Sequence, residues 1–253
     1  MKLLILIFFT LSLQANVEKG EQIARDMDKA NKGYGSESSS MQLILIDSSG
    51  TTLVRGMKGA NLEKKDVIKG LMTFLKPNDV KGTKLLTWSY RETDKDDDQW
   101  LFLPSLKRVK KINSRTRGSS FMGSEFSYAD LTAQTIEKYN FSYVKDVVVD
   151  GHETWMLNRV SKYKSNYKRV EIFVSKKMLT TVASNYYNKR NELYKKAVFG
   201  NFKKYKVNEK EFYRASEVTM ANVQNGKKSK FIWSERRLGE DVKESDLHKR
   251  SLR

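Results

Sequence analysis

Cysteine is absent from the 253-residue chain, histidine occurs only at His152 and His248, and there are only two prolines. No cysteine means no disulfide scaffold, no thiolate metal site and no cysteine nucleophile. Two histidines leave little material for histidine-centred catalysis. Acidic residues are also in the minority, with Lys+Arg 48 against Asp+Glu 30, and the formal charge of +18 points to an anionic neighbour. No internal repeat is present, and the length fits one large domain or two small ones, with enough chain to bury a core.

Long apolar runs are missing except at the start. Leu3 to Leu11 follow Met1-Lys2 and precede Ser12-Leu13-Gln14-Ala15, the pattern of a secretory leader cleaved after Ala15. The run is too short to span a bilayer, and no cysteine follows it to carry a lipid. The expectation is an exported protein whose basic surface meets phospholipid or an acidic partner, with no nucleic acid.

The rest of the chain, residues 16–253, reads as one domain. Glu18 to Asn31 carries Ile23, Met27 and Ala30 at helical spacing and ends at Gly33-Tyr34-Gly35-Ser36. Alternating segments follow at Met41–Ile46, Thr51–Met57, Val67–Leu75, Leu85–Tyr90, Gln99–Leu103 and Leu106–Ile112. Residues 113–135 are small and polar and read as a long loop with a short helix. Strands resume at Phe141–Val149, Glu153–Ser161, Lys168–Val174, Leu179–Tyr187, Leu193–Phe199, Glu211–Asn222 and Ser229–Arg237. From Gly239 the tail is mostly charged and is expected to fray. The fold class is therefore mainly β with few helices, an antiparallel barrel or curved partial barrel. Lys84–Trp88 and Gln99–Leu103 place apolar groups on both faces, so they need cover on both sides. A sheet curled round an apolar interior supplies it, and so does a sandwich core.

Reaction motifs fail on inspection. His152-Glu153 lacks the second histidine of a zinc-protease helix, and Asp94-x-Asp96-x-Asp98 has Gln99 and Ser105 where a calcium loop needs Gly and Glu. Gly118 to Gly123 is followed by Ser124-Glu125 rather than Lys-Ser/Thr. Ser161-x-x-Lys164 and Ser165-x-x-Lys168 match an acyl-enzyme pattern without its supporting motifs. No enzyme, metal or cofactor is expected. The basic, aromatic span Tyr163–Tyr205 could stack single-stranded nucleic acid, but export argues against that and leaves a solvated basic face or a surface for an anionic membrane or partner.

One stretch carries a family likeness. Asp79-Val80-Lys81-Gly82-Thr83-Lys84-Leu85-Leu86-Thr87-Trp88, then Asp97 through Trp100-Leu101-Phe102-Leu103-Pro104 to Ile112, then Ser119-Ser120-Phe121-Met122-Gly123 to Leu131, resembles the outer-membrane lipoprotein-sorting (LolA/LolB-like) proteins, in the branch associated with RND-type lipid exporters. The resemblance implies a periplasmic, antiparallel half-barrel with a helical lid over an apolar cavity that carries lipid or lipoprotein acyl chains to the outer membrane. It also implies an inner-membrane RND-type exporter as partner. On this reading Trp88, Trp100 and Phe102 lead the cavity candidates, with Leu43, Leu45, Leu86, Phe173 and Trp233 behind them. Phe121, Met122, Phe126, Tyr128 and Leu131 form the lid, and Lys107, Arg108, Lys110 and Lys111 present charge to a partner or an anionic membrane. The alternatives are a lipid-modifying or hydrolytic envelope enzyme and an envelope protein that binds anionic lipid by its surface.

Overall fold

A computed structural model describes the backbone of residues 2–252, with the side chains of 1–13 and of Ala15 outside the described set. The side-chain pattern of the expected leader therefore lies outside the described residues. The backbone forms α1 (Lys2–Asn31). Gly33 and Gly35, both at positive φ, turn the chain out of the helix. Among the described residues no helix is long and apolar enough to cross a membrane.

Thirteen antiparallel strands make one sheet. The first six are β1 (Ser36–Ile46), β2 (Thr52–Glu63), β3 (Val67–Lys76), β4 (Lys84–Tyr90), β5 (Asp98–Leu103) and β6 (Arg108–Ile112). They meander outward from the middle of the sheet to one edge. The other seven are β7 (Tyr139–Val149), β8 (His152–Ser161), β9 (Arg169–Ser175), β10 (Thr181–Tyr187), β11 (Leu193–Val207), β12 (Lys210–Asn222) and β13 (Lys228–Leu238). They return from the opposite edge until β13 pairs with β1. The sheet stays open because β6 and β7 do not pair.

This topology assigns a task to the connection between β6 and β7. Its ends lie on opposite edges of a curved sheet, so residues 113–138 must cross the hollow between them. They do so without an α-helix, in turns and short 3-10 segments at Tyr128–Leu131 and Ile136–Lys138. Ser127 caps the first segment by accepting from the Asp130 amide, while its own amide donates to the Asp130 carboxylate.

The alternation of each strand separates two apolar clusters. Inward-facing Met41, Leu43, Met57, Phe74, Leu85, Leu101, Leu157, Ile172, Met220 and Phe231 build the main core. Ile23 and Ala24 of α1 join it, and α1 lies directly on β7: a Cβ added at Gly20 would stand 2.6 Å from Ser142 Cα. The second cluster, Leu86 and Trp100 with Trp88 and Phe102 packed against them, faces outward. Its cover is the C-terminal tail, whose Leu247 and Leu252 are fully buried there. The expected fraying is therefore corrected. Val242, Leu247 and Leu252 give the charged tail an apolar side, and Trp88 Nε1 donates to the Leu247 carbonyl at 2.8 Å.

Candidate functional site

The hollow of the sheet contains a cavity of about 350 Å³. Met41 and Met72 line it from one half of the sheet, and Ala197, Phe199, Val218, Met220, Phe231 and Trp233 from the other. These residues share a face because their registers align: Met41 lies opposite Trp233, and Phe231 lies opposite Val218, which faces Phe199. A second chamber of about 380 Å³ adjoins it. Asp130, Tyr186 and Phe199 line both, so the two spaces form one interior. Each falls in the range of roughly 300–1,000 Å³ typical of small-molecule sites. A groove of about 520 Å³ lies outside the sheet under the tail, but its walls are mainly serines and charged side chains.

The crossing segment roofs the interior as a fixed plug. Phe121, Phe126 and Tyr128 are buried, with Phe126 against Phe231 at 4.9 Å between ring centroids and Phe121 against Phe74 at 5.8 Å. Its backbone polar groups are met by side chains from both halves of the sheet. Arg55 donates to the Met122 carbonyl, Gln99 Nε2 to the Tyr128 carbonyl at 2.9 Å, and Lys195 to the Glu125 carbonyl. The Glu125 amide donates to Ser229 Oγ at 3.0 Å, and the Ala133 amide to Ser89 Oγ at 2.9 Å. Met122 and Gly123 both adopt positive φ at the tightest bend. Burial draws the Lys195 ammonium below its ordinary pKa and pushes the Tyr186 phenol well above its own.

At the far end of α1 an ion network ties the helix to the sheet. Arg91 reaches Asp28 at 3.1 Å and Glu137 at 3.3 Å, Arg236 pairs with Glu37 at 2.9 Å, and Arg214 donates to Asn31 Oδ1 at 2.9 Å. Desolvation pulls the Arg214 guanidinium below its usual pKa.

Among the cavity candidates read from sequence, Trp233 alone lines the main cavity. Leu43 is fully buried in the core, and Leu45 packs beside Gly123 under the plug. Leu86, Trp88, Trp100 and Phe102 stand on the opposite face of the sheet, beneath the tail, and Phe173 alternates out of phase with the inward Ile172 and Val174. Their placement is corrected by strand phase: Leu85, Thr87 and Leu101 take the inward positions of β4 and β5. The lid candidates do lie together over the hollow, with Phe126 and Leu131 lining the cavity, but in turns followed by one 3-10 segment rather than an α-helical lid. Lys107, Arg108, Lys110 and Lys111 are exposed on and beside edge strand β6, where charge also blocks pairing with another chain. Lys111 is partly engaged by Asp98 at 2.8 Å.

A protein-family model described only as "Uncharacterized protein" matches residues 67–253. Among solved structures, an outer membrane lipoprotein-sorting protein domain from Vibrio parahaemolyticus is 35% identical, with a TM-score of 0.88 over 94% of this chain and 99% of that one. The chain belongs to the outer membrane lipoprotein-sorting family. A DUF1329 family protein from Desulfovibrio piger, 26% identical with a TM-score of 0.87, covers 94% of this chain and 99% of its own. A LolA superfamily protein from Nitrosomonas europaea shares the fold at 16% identity, with a TM-score of 0.70 over 92% of this chain and 98% of that one. No curated protein matches the chain. Within this lipoprotein-sorting family, the open thirteen-stranded sheet is the LolA-like open barrel.

Proposed function

We propose that the protein is a periplasmic carrier that holds the acyl chains of a lipid or lipoprotein in the concave cavity and delivers them toward the outer membrane. The observation that carries this reading is the continuous apolar lining formed by Met72, Phe199, Val218, Met220, Phe231 and Trp233 beneath a plug bonded to both halves of the sheet. The relationship to an outer membrane lipoprotein-sorting domain supports it. So does the helix: cleavage after Ala15 leaves Gly20, Ile23 and Ala24 in place against the sheet. An inner-membrane RND-type exporter is the partner implied by the motif resemblance, and the basic edge at Lys107, Arg108, Lys110 and Lys111 would meet it or an anionic membrane.

The energetics suit a carrier. Burying a palmitoyl chain is worth about 12 kcal/mol against water, at roughly 0.8 kcal/mol per CH₂. Exchange with a bilayer nearly cancels that gain, because hydrocarbon replaces hydrocarbon. Loading and release are then reversible and need no covalent step.

Uptake of a pyrene-labelled fatty acid from phosphatidylglycerol vesicles tests the reading. The expected result is uptake by the wild type and none by Val218→Glu, with circular dichroism still reporting the β fold. A folded wild type that takes up no chain would overturn it.

A further inference from the structure

Among the described residues, the inward-facing cations divide into those with partners and one without. Arg55 and Lys195 donate to plug carbonyls, Arg236 pairs with Glu37, and Lys138 pairs with Asp97. Arg159 is different. It lies on the concave phase of β8, in register with the apolar side chains Phe141 and Val170, and it lines the second chamber. Its guanidinium stacks 4.8 Å from the Tyr139 ring centroid, yet it has no carboxylate within salt-bridge reach and no hydrogen bond among the described residues. Its Nε is buried without an acceptor. Asp130, the carboxylate of the same chamber, is already occupied: Ser127 and Tyr167 donate to its oxygens.

We propose that Arg159 recognises the anionic head, carboxylate or phosphate, of the amphiphile whose chain fills the adjoining apolar chamber; this rests on the carrier reading above. Arg159 is half-buried with its Nε shielded from water and without an acceptor, which is costly to leave unpaired, and a planar fork of N–H donors fits a carboxylate or phosphate in bidentate fashion. Tyr186 and Phe199 line both chambers, so a head at Arg159 can lead directly into a chain beside Val218 and Met220. The apolar chamber sets how tightly a chain is held, and Arg159 sets which head it carries.

The test is displacement of the neutral fluorophore 1-aminoanthracene from the full-length protein by palmitate, palmitoyl lysophosphatidate and hexadecanol. The wild type is expected to prefer the two anions over the alcohol by about tenfold or more, the effect of a charge-assisted hydrogen bond. Arg159→Gln should remove that preference while changing hexadecanol binding by less than about twofold, and Arg159→Lys should keep part of it. Acetate and inorganic phosphate should displace nothing, and displacement by either would show a free-anion site and overturn the proposal. Equal binding of anions and alcohol by the wild type would overturn head recognition and leave the carrier standing, as would equal losses for all three ligands in Arg159→Gln. Failure of every chain to bind would overturn both. The wild-type comparison needs no variant, so a folding defect in Arg159→Gln does not remove the test.

Discussion

The Gln99 side chain, wholly buried on β5, donates from Nε2 to the Tyr128 carbonyl at 2.9 Å and so fixes the crossing plug to the sheet beneath it. A polar residue at this inward position is explained by the plug: a 3-10 turn leaves carbonyls that must find donors when buried. Gln99→Met should cost about 1 kcal/mol, because the Tyr128 carbonyl loses its donor while the unpartnered Gln99 Oε1 is also removed. Hydrogen exchange should quicken in residues 119–131 ahead of the strands. Uniform exchange across the protein would show that the bond does not hold the plug.

The tail is expected to be part of the fold. Leu247→Ala should destabilise by about 2–4 kcal/mol, the usual loss for a fully buried leucine, in urea unfolding. Tryptophan emission should shift to the red before global unfolding, as Trp88 and Trp100 become wet. An unchanged midpoint and spectrum would mean that the tail is only loosely laid on the sheet.

Gly20 permits the closest approach of α1 to the sheet. In Gly20→Val the new Cβ would meet Ser142 Cα and Tyr143 N at 2.6 Å, both of them backbone atoms that cannot swing away. A loss of about 1–3 kcal/mol is expected from such overpacking. The same substitution at exposed Gly151 provides a poor control because of its positive φ, so Lys29→Val, at an exposed position of the same helix, is the better comparison and should cost no more than about 0.5 kcal/mol. Equal stabilities for the two variants would contradict the docking of the helix.

Alkaline pH should weaken the fold through its buried phenols. Burial pushes Tyr128, Tyr139, Tyr167 and Tyr186 above the ordinary tyrosine range, and burial with the nearby Asp98 carboxylate raises Tyr90 to about 12. A raised folded pKa favours the protonated form in the native state. Its stabilising contribution is therefore complete below the unfolded value of 10.0 and, for Tyr90, is lost between there and about 12. Tyrosinate absorbance should rise in two stages, exposed phenols first and buried ones with unfolding. A single stage on an intact fold would contradict the burial.

Much of the strand pattern was legible because alternation is local. The exceptions have local causes. The segment expected to end at Phe199 does not end there: β11 runs on through Gly200-Asn201 to Val207 in unbroken register with β12. The hairpin that follows uses Asn208 and Glu209, both at positive φ, instead of an Asn-Gly pair that would announce it. Alternation also yields two faces without saying which is concave. The family resemblance puts Trp88 and Trp100 in the cavity, but β4 and β5 turn Thr87 and Leu101 inward, and the outer face finds its cover in three apolar residues diluted among the charges of the tail. Arg159 carried no signal in a chain with 48 Lys and Arg residues, since only the phase of β8 separates an inward cation from a solvated one.

The most direct test of the lipid-carrier account is a native mass spectrum of the protein recovered from the periplasm and washed at high salt. The expected spectrum shows wild type and Trp88→Glu each retaining about one acyl lipid per chain, and Met220→Glu empty, since an unpaired charge in the cavity costs several kcal/mol. A wild type that carries no lipid, or a Met220→Glu protein that keeps its lipid while Trp88→Glu loses it, would contradict the assignment of the concave cavity.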